Sequence, residues 1–239
     1  GAYATYVGQE IGQFYGWVYE GIARTPADLD NHATQQGVNV GDCLYKDISG
    51  PEGTPDGVID AYDQTVLGSG LPKVNFGLST HMEYKGFDLN ISTYGVLNYH
   101  VSDDIYNSLN SCYGYGNKEV GMLDANRWSE DGTYLSSVPR TYAANNATLA
   151  WNDLFSSRKI QNAAYWKIAN VELGYNFPDK WFGGYVSGVR LYVSAQNLYT
   201  FTGYHGYNVD YAGGTFTPGY NFCSFPSART FMAGLHFTF

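Results

Sequence analysis

From position 229 onward the chain alternates. Phe231, Ala233, Leu235, Phe237 and Phe239 fall on one parity and Met232, Gly234, His236 and Thr238 on the other, the period of two that gives a strand one apolar face. The same pattern occupies 76–84, where Phe76, Leu78, Thr80, Met82 and Tyr84 oppose Gly77, Ser79, His81 and Glu83. After a two-residue reversal at Lys85 and Gly86 it resumes over 87–99. There Phe87, Leu89, Ile91, Thr93, Leu97 and Tyr99 oppose Asp88, Asn90, Ser92 and Tyr94, so the two runs predict a hairpin. A further strand is predicted over 169–177, with Ala169, Val171, Leu173, Tyr175 and Phe177 against Asn170, Glu172, Gly174 and Asn176, ended by Pro178. Val189, Leu191, Val193 and Ala195 then alternate with Arg190, Tyr192, Ser194 and Gln196 in a strand running on to Phe201.

The stretches between these strands come in two sizes. Those at 85–86 and 179–188 are short, whereas 23–72, 101–160 and 203–227 are long and polar, longer than plain connections usually are. Thr25 as N-cap with Pro26 at the first helical position predicts a short helix in the first of them. Residues 3–7 and 12–22 read equally as short strands or as loop. An apolar strand face has to be covered, because an open one is an aggregation surface. A bilayer covers it in transmembrane barrels, which alternate apolar-out with polar-in and join their strands by short periplasmic turns and long external loops. The expected fold is therefore all-β, a transmembrane antiparallel β-barrel with extracellular loops at 23–72, 101–160 and 203–227. A soluble β-domain is the other architecture with such strands.

Composition sharpens this picture. Twenty-nine Gly, 23 Tyr and 13 Phe in 239 residues, with 15% charged, describe a β-rich chain stocked with turn residues and amphipathic aromatics. No run approaches the roughly 20 apolar residues of a membrane helix, so spanning falls to strands. A net charge of −9 without a Lys/Arg cluster excludes a nucleic-acid partner. Cys43, Cys112 and Cys223 are odd in number and lack metal-site spacing. His32, His81, His100, His205 and His236 form no H-E-x-x-H pair and no triad-like grouping, so no catalytic residue is assigned and the chain is not read as an enzyme. It opens at Gly1 without an initiator Met or an apolar signal core, which is expected of a piece of something longer.

Three groups of residues carry candidate chemistry. With 51–55 set aside, Asp47, Ser49, Asp56, Val58, Asp60 and Asp63 occupy the oxygen-donor positions of an EF-hand-like calcium loop, with Gly57 at its sharp turn. The ion would be structural, and a solvated acidic loop with Asx turns is the alternative. Trp128, Trp151, Tyr113, Tyr115, Tyr204 and Tyr207 lie in the long stretches, where aromatic faces either meet a ligand or pin the loop. Glu83, Asp88, Asn90, Arg190 and Gln196 share the polar parity and are expected to form a wall network facing a lumen. Phe239, an aromatic closing a terminal strand, is expected to serve as an outer-membrane assembly signal.

Eight short stretches in order also carry a resemblance: Gly8-Gln9-Glu10-Ile11-Gly12-Gln13-Phe14-Tyr15-Gly16, Tyr45-Lys46-Asp47, Asp56-Gly57-Val58-Ile59-Asp60, 66–73, 84–89, Val171-Glu172-Leu173-Gly174-Tyr175-Asn176, Ser194-Ala195-Gln196-Asn197-Leu198, and Pro226-Ser227-Ala228-Arg229-Thr230. Together they resemble the C-terminal part of SusC/RagA-type TonB-dependent outer-membrane transporters. The resemblance implies a barrel of about 22 strands closed by a plug domain that this chain lacks. It implies four partners: TonB acting through that missing N-terminal part, the remaining strands and plug, a SusD-like surface lipoprotein, and outer-membrane lipid. The implied role is the wall and external loops of an importer of oligosaccharides or peptides in the Gram-negative outer membrane. The alternative function is a secreted, calcium-dependent carbohydrate-binding module.

Overall fold

The computed structural model describes residues 2–111, 117–120, 128, 138–141, 151–182, 186–210 and 213–239. Five long strands form one antiparallel sheet: β1 (Val74–Tyr84), β2 (Phe87–Leu97), β3 (Tyr165–Phe177), β4 (Gly188–Thr202) and β5 (Thr230–Thr238), neighbours in the sheet being neighbours in this order. They belong to one compact unit, Pro72–Tyr99 with Asn162–Asp210 and Ser224–Phe239. The β1–β2 reversal is as tight as expected, since Tyr84 pairs directly with Phe87. Lys85 at φ 49 and Gly86 at φ 87 both take the left-handed conformation that a two-residue hairpin turn demands.

Register carries the apolar parity from strand to strand. Met82, Leu89, Leu173, Val193 and Ala233 stand in one row, and Tyr84, Phe87, Tyr175, Leu191 and Leu235 in the next. Among the described residues these rows stand open: Tyr84 is 70% exposed and Leu235 57%. Two details depart from the sequence reading. Ala169 leaves the apolar parity, because the register shifts between Ile168 and Asn170 against both neighbours and makes it the extra residue of a bulge. Ile168 and Trp166 continue the apolar face instead, with Trp166 stacked on Phe201 at 5.4 Å. Tyr99 also leaves that face, since Asn98 turns to φ 52, ends β2 at Leu97, and delivers Tyr99 into a buried position.

The second compact unit is Gly1–Leu71 with His100–Gln161 and Tyr211–Cys223, the stretches that alternation leaves out. It is not structureless. Gln13–Trp17 pairs with Gln64–Ser69 and with Tyr3–Ala4, and Tyr19–Ile22 pairs with Cys43–Tyr45, so the first 22 residues find their partners here. Buried Cys43, Tyr45 and Ile59 collect Trp17, Tyr19, Trp151 and Leu154 around them. The helix Pro26–Asp30 begins where Thr25 and Pro26 predict. Asp28 accepts the backbone N–H groups of Arg24 and Thr25 at 2.7 and 2.8 Å, and those bonds hold its carboxyl below the usual carboxylate range.

A buried clamp joins distant parts of this unit. Asp42, 1% exposed, accepts Arg140 through both oxygens at 2.6 and 2.9 Å and Asn152 Nδ2 at 2.8 Å. Removing one partner of such a pair strands a buried charge, a loss of about 3–5 kcal/mol. Arg140→Met is therefore expected to raise amide hydrogen exchange across 23–72 while β1 and β2 keep their protection. Unchanged exchange there would show that the pair contributes little to this unit.

Candidate functional site

The polar face of the sheet holds a charged network that spans three strands. Arg190 on β4 donates Nε to Asp88 Oδ2 at 3.0 Å, and its Nη2 reaches Asp88 Oδ1 at 2.5 Å and Glu172 Oε1 at 2.6 Å. Asp88 is on β2, two strands away. The strand between them presents Gly174 directly opposite Asp88, and a Cβ there would stand 2.5 Å from Asp88 Oδ2 and 2.6 Å from Arg190 Nη2. Glycine thus opens the gap through which the ion pair closes. Asn176 Nδ2 adds a bond to Asp88 Oδ2 at 2.9 Å, and the guanidinium lies over the Tyr192 ring at 5.2 Å. That ring in turn fills the space above Gly234 on β5.

Farther from the hairpin turn, His81 bonds Asn90 Oδ1 at 2.6 Å and Glu83 Oε1 at 2.9 Å. Glu83, Asp88, Asn90 and Arg190 thus belong to side-chain networks on one face, as their parity predicts. Gln196 does not, since it sits at the bulge opposite Asn170 and Thr230. Gly174→Val would force its side chain into the Asp88–Arg190 contact, and overpacking of that kind destabilises by about 1–3 kcal/mol. A lower melting temperature of the protein in detergent is the expected outcome, and Gly77→Val, where a Cβ meets nothing nearer than 3.7 Å, is the control.

The acidic loop of the second unit is ordered by its own backbone. Asp63, fully buried, accepts Ile48 and Ser49 N–H through Oδ1 at 2.8 and 3.1 Å and Asp60 N–H through Oδ2 at 2.9 Å. Asp60 accepts Tyr62 N–H at 2.8 Å, Asp56 accepts Val58 N–H at 3.0 Å, and Asp47 Oδ2 accepts Gly57 N–H at 2.7 Å. The Ser49 hydroxyl contacts Gly50 O at 3.5 Å. These oxygens are hard donors of the kind calcium takes. As arranged they serve as turn caps, and among the described residues no three His, Cys, Asp or Glu side chains gather round one point. Asp47 Oδ1 is sealed from solvent without a hydrogen-bond partner.

The aromatic candidates separate by environment. Trp151 is pinned, donating Nε1 to Gln36 O at 2.8 Å and accepting the Tyr45 hydroxyl on its carbonyl. Trp128 lies against Gly41, where a Cβ would come within 2.6 Å of its ring, and bonds Val138 O through its backbone at 2.9 Å. Tyr204 is buried and Tyr207 exposed. Tyr113 and Tyr115 lie outside the described residues. Phe239 follows β5 and is exposed.

Two features escaped the sequence reading. Lys167, 4% exposed, pairs with Asp210 at 2.5 Å beside the Tyr94 hydroxyl, under a cavity of about 320 Å³ that Tyr207 and Arg229 also line. Lys167 was findable as a polar-parity residue only once β3 was extended past the bulge. The other is a helix inside 101–160, Asp104–Leu109, with cavities on both sides. Its signal was the spacing of Asp104, Asn107, Ser108 and Ser111, hidden in a stretch without apolar period.

An in-order antiparallel sheet with one exposed apolar face and one charged face has the architecture of outer-membrane barrel wall. No helix among the described residues is long and apolar enough to cross a membrane. The chain resembles SusC/RagA-type TonB-dependent receptors over nearly its whole length. It is 30% identical over 241 residues to TonB-dependent receptor P3 of Formosa agariphila, covering 97% of this chain and 22% of that protein. To TonB-dependent receptor SusC of Bacteroides thetaiotaomicron it is 27% identical over 186 residues, covering 77% of this chain and 17% of that one. The solved RagAB peptide transporter shares the fold at a TM-score of 0.70 and 22% identity, over 95% of this chain and 22% of that one. No protein-family model matches. The chain thus spans about a fifth of the length of the curated relatives it matches. Those relatives are receptors and transporters, not enzymes.

Proposed function

We propose that this chain supplies wall and extracellular loops to a TonB-dependent importer of the Gram-negative outer membrane, one that carries oligosaccharides or peptides with a SusD-like surface lipoprotein as partner. The observation that carries this reading is the uncovered apolar face running across all five strands, backed by a charged face one residue away. A secreted carbohydrate-binding module would have to leave that face open to water. Lipid satisfies the apolar face, and a wet lumen satisfies Asp88, Glu172 and Arg190. Single cysteines in a background lacking Cys43, Cys112 and Cys223, placed in the full-length protein in outer-membrane vesicles, test the assignment. Probes at Leu78, Leu89 and Leu191 are expected to resist water-soluble thiol reagents, and probes at Ser79 and Asn90 to react. Equal labelling on both parities would refute it.

We propose in addition that residues 47–63 take calcium as a structural ion. Asp47 Oδ1, buried without a partner, supports a further ligand at the start of the loop. An interrupted loop of this kind belongs with extracellular modules that bind at about 10⁻⁴–10⁻³ M. Titration of the full-length protein with calcium should give a heat that Asp47→Ala abolishes, with slower hydrogen exchange over 47–63 than in chelator. The same exchange in both conditions, with no heat, would leave the loop held by its caps alone.

A further inference from the structure

The helix Asp104–Leu109 forms a ridge between two cavities of the same unit. The larger, about 390 Å³, is bordered by Asp104, Asn107, Ser108 and, just past the helix end, Ser111. These positions recur at i, i+3, i+4 and i+7 and share one face of the ridge. Phe155 and Tyr220 also border it. The smaller cavity, about 250 Å³, is bordered by Tyr106 and Asn110, an i, i+4 pair, with Tyr19 and Arg158. Asn107 and Lys159 border both. Sharing these two residues, the cavities lie side by side as the lobes of one groove.

We propose that this groove binds two consecutive units of an acidic oligosaccharide, with an anionic group, uronate or sulfate ester, against Arg158 and the hydroxyls of the adjoining unit against Asp104, Asn107 and Ser108. The proposal deepens the importer reading and rests on it. Sugar hydroxyls both donate and accept, and the groove offers both roles in fixed positions. Asn107 Nδ2 is tied to Ser102 Oγ at 3.2 Å and Lys159 O at 3.1 Å, so the shared amide is held before any ligand arrives. Asp104 Oδ1 accepts the Tyr220 hydroxyl at 2.9 Å, and burial together with that carboxylate pushes the phenol up to about 12, so it stays a donor. Asp153 is held by the Ser111 hydroxyl at 2.9 Å and by Lys159.

Charge divides the lobes. Arg158 and Lys159 border the smaller one, where among the described residues no carboxylate does, although Glu119 accepts Asn110 Nδ2 at 3.1 Å nearby. Asp104 and Asp153 border the larger one. A guanidinium matches the paired oxygens of a carboxylate or sulfate. Peptides are commonly recognised by main-chain pairing along an open strand edge, whereas side chains of a helix border both lobes here.

Calorimetry on the full-length protein in detergent tests this with four probes: a diuronate, a sulfated disaccharide, a neutral disaccharide and the tripeptide Glu-Gly-Glu. At least one of the two acidic sugars is expected to bind tenfold or more tightly than the neutral one, and which of them does so identifies the anion. Arg158→Gln should erase that preference, and amide hydrogen exchange over 102–111 unchanged from the parent protein shows that the groove has folded. Arg158→Lys should keep part of the preference, and Asn107→Ala should weaken every sugar severalfold. Equal binding of acidic and neutral sugars, indifference to Arg158→Gln, a preference for the tripeptide, or no sugar binding would each overturn the proposal. Cysteine labelling of the strands reads the barrel separately, so sided labelling with a failed groove refutes this inference alone.

Discussion

A period of two decides where every side chain of the five-stranded sheet points, and a slip of one residue in any strand would carry its apolar set to the charged face. The Asp88–Gly174–Arg190 arrangement locks the sheet against that slip. Asp88 and Arg190 sit on strands that are not neighbours, and they meet because the strand between them offers a residue with no side chain at that point. Slipping β3 by one residue would bring Leu173 or Tyr175 to the gap, separate the ions, and leave Asp88, 5% exposed, without its partner. The charged face and the apolar face therefore specify the same register, one by ion pairing and the other by what it can be exposed to.

The bulge modifies this rule without breaking it. Ala169 on β3 and the shift beside Asn197 on β4 occur at the same level, Asn197 taking φ 51 to accommodate the extra length. Beyond them Ile168 and Trp166 keep the apolar face, and Lys167 falls on the opposite one. There the loop residue Asp210 receives its ammonium, and the Tyr94 hydroxyl donates to the same carboxylate oxygen. A buried lysine is tolerable only when paired, so this trio ties the segment that follows β4 back to the sheet.

How much was legible follows from which physics set each part. The rows containing Leu89, Leu173 and Val193, and the reversal at Lys85-Gly86, were readable because pleat and hairpin geometry act on adjacent residues. Ala169 and Tyr99 were misassigned because a bulge and a left-handed Asn98 interrupt the period without altering composition. In the second unit the ordering contacts join residues far apart in the chain, such as Asp42 with Arg140 and Tyr45 with Trp151, and no local pattern announces them. The polar-parity network was legible for Glu83, Asp88, Asn90 and Arg190. The groove beside Asn107 was not, because a six-residue helix is too short to show an apolar stripe. Trp128 and Trp151 were prominent in sequence for their size, and the structure fixes both by contacts within the unit.

The acidic loop shows why residue type alone underdetermines chemistry. Asp47, Asp56, Asp60 and Asp63 carry the spacing of a cation site, and the same oxygens also suit backbone N–H groups at turns, because a carboxylate accepts either partner. Asp63 demonstrates the second use, with three amides on two oxygens and no exposure. Asp47 lies between the two uses, one oxygen capping Gly57 and the other buried without a partner. A loop built this way keeps its shape through N–H bonds that a cation would supplement, so any ion it takes adds to an order that the backbone has already established.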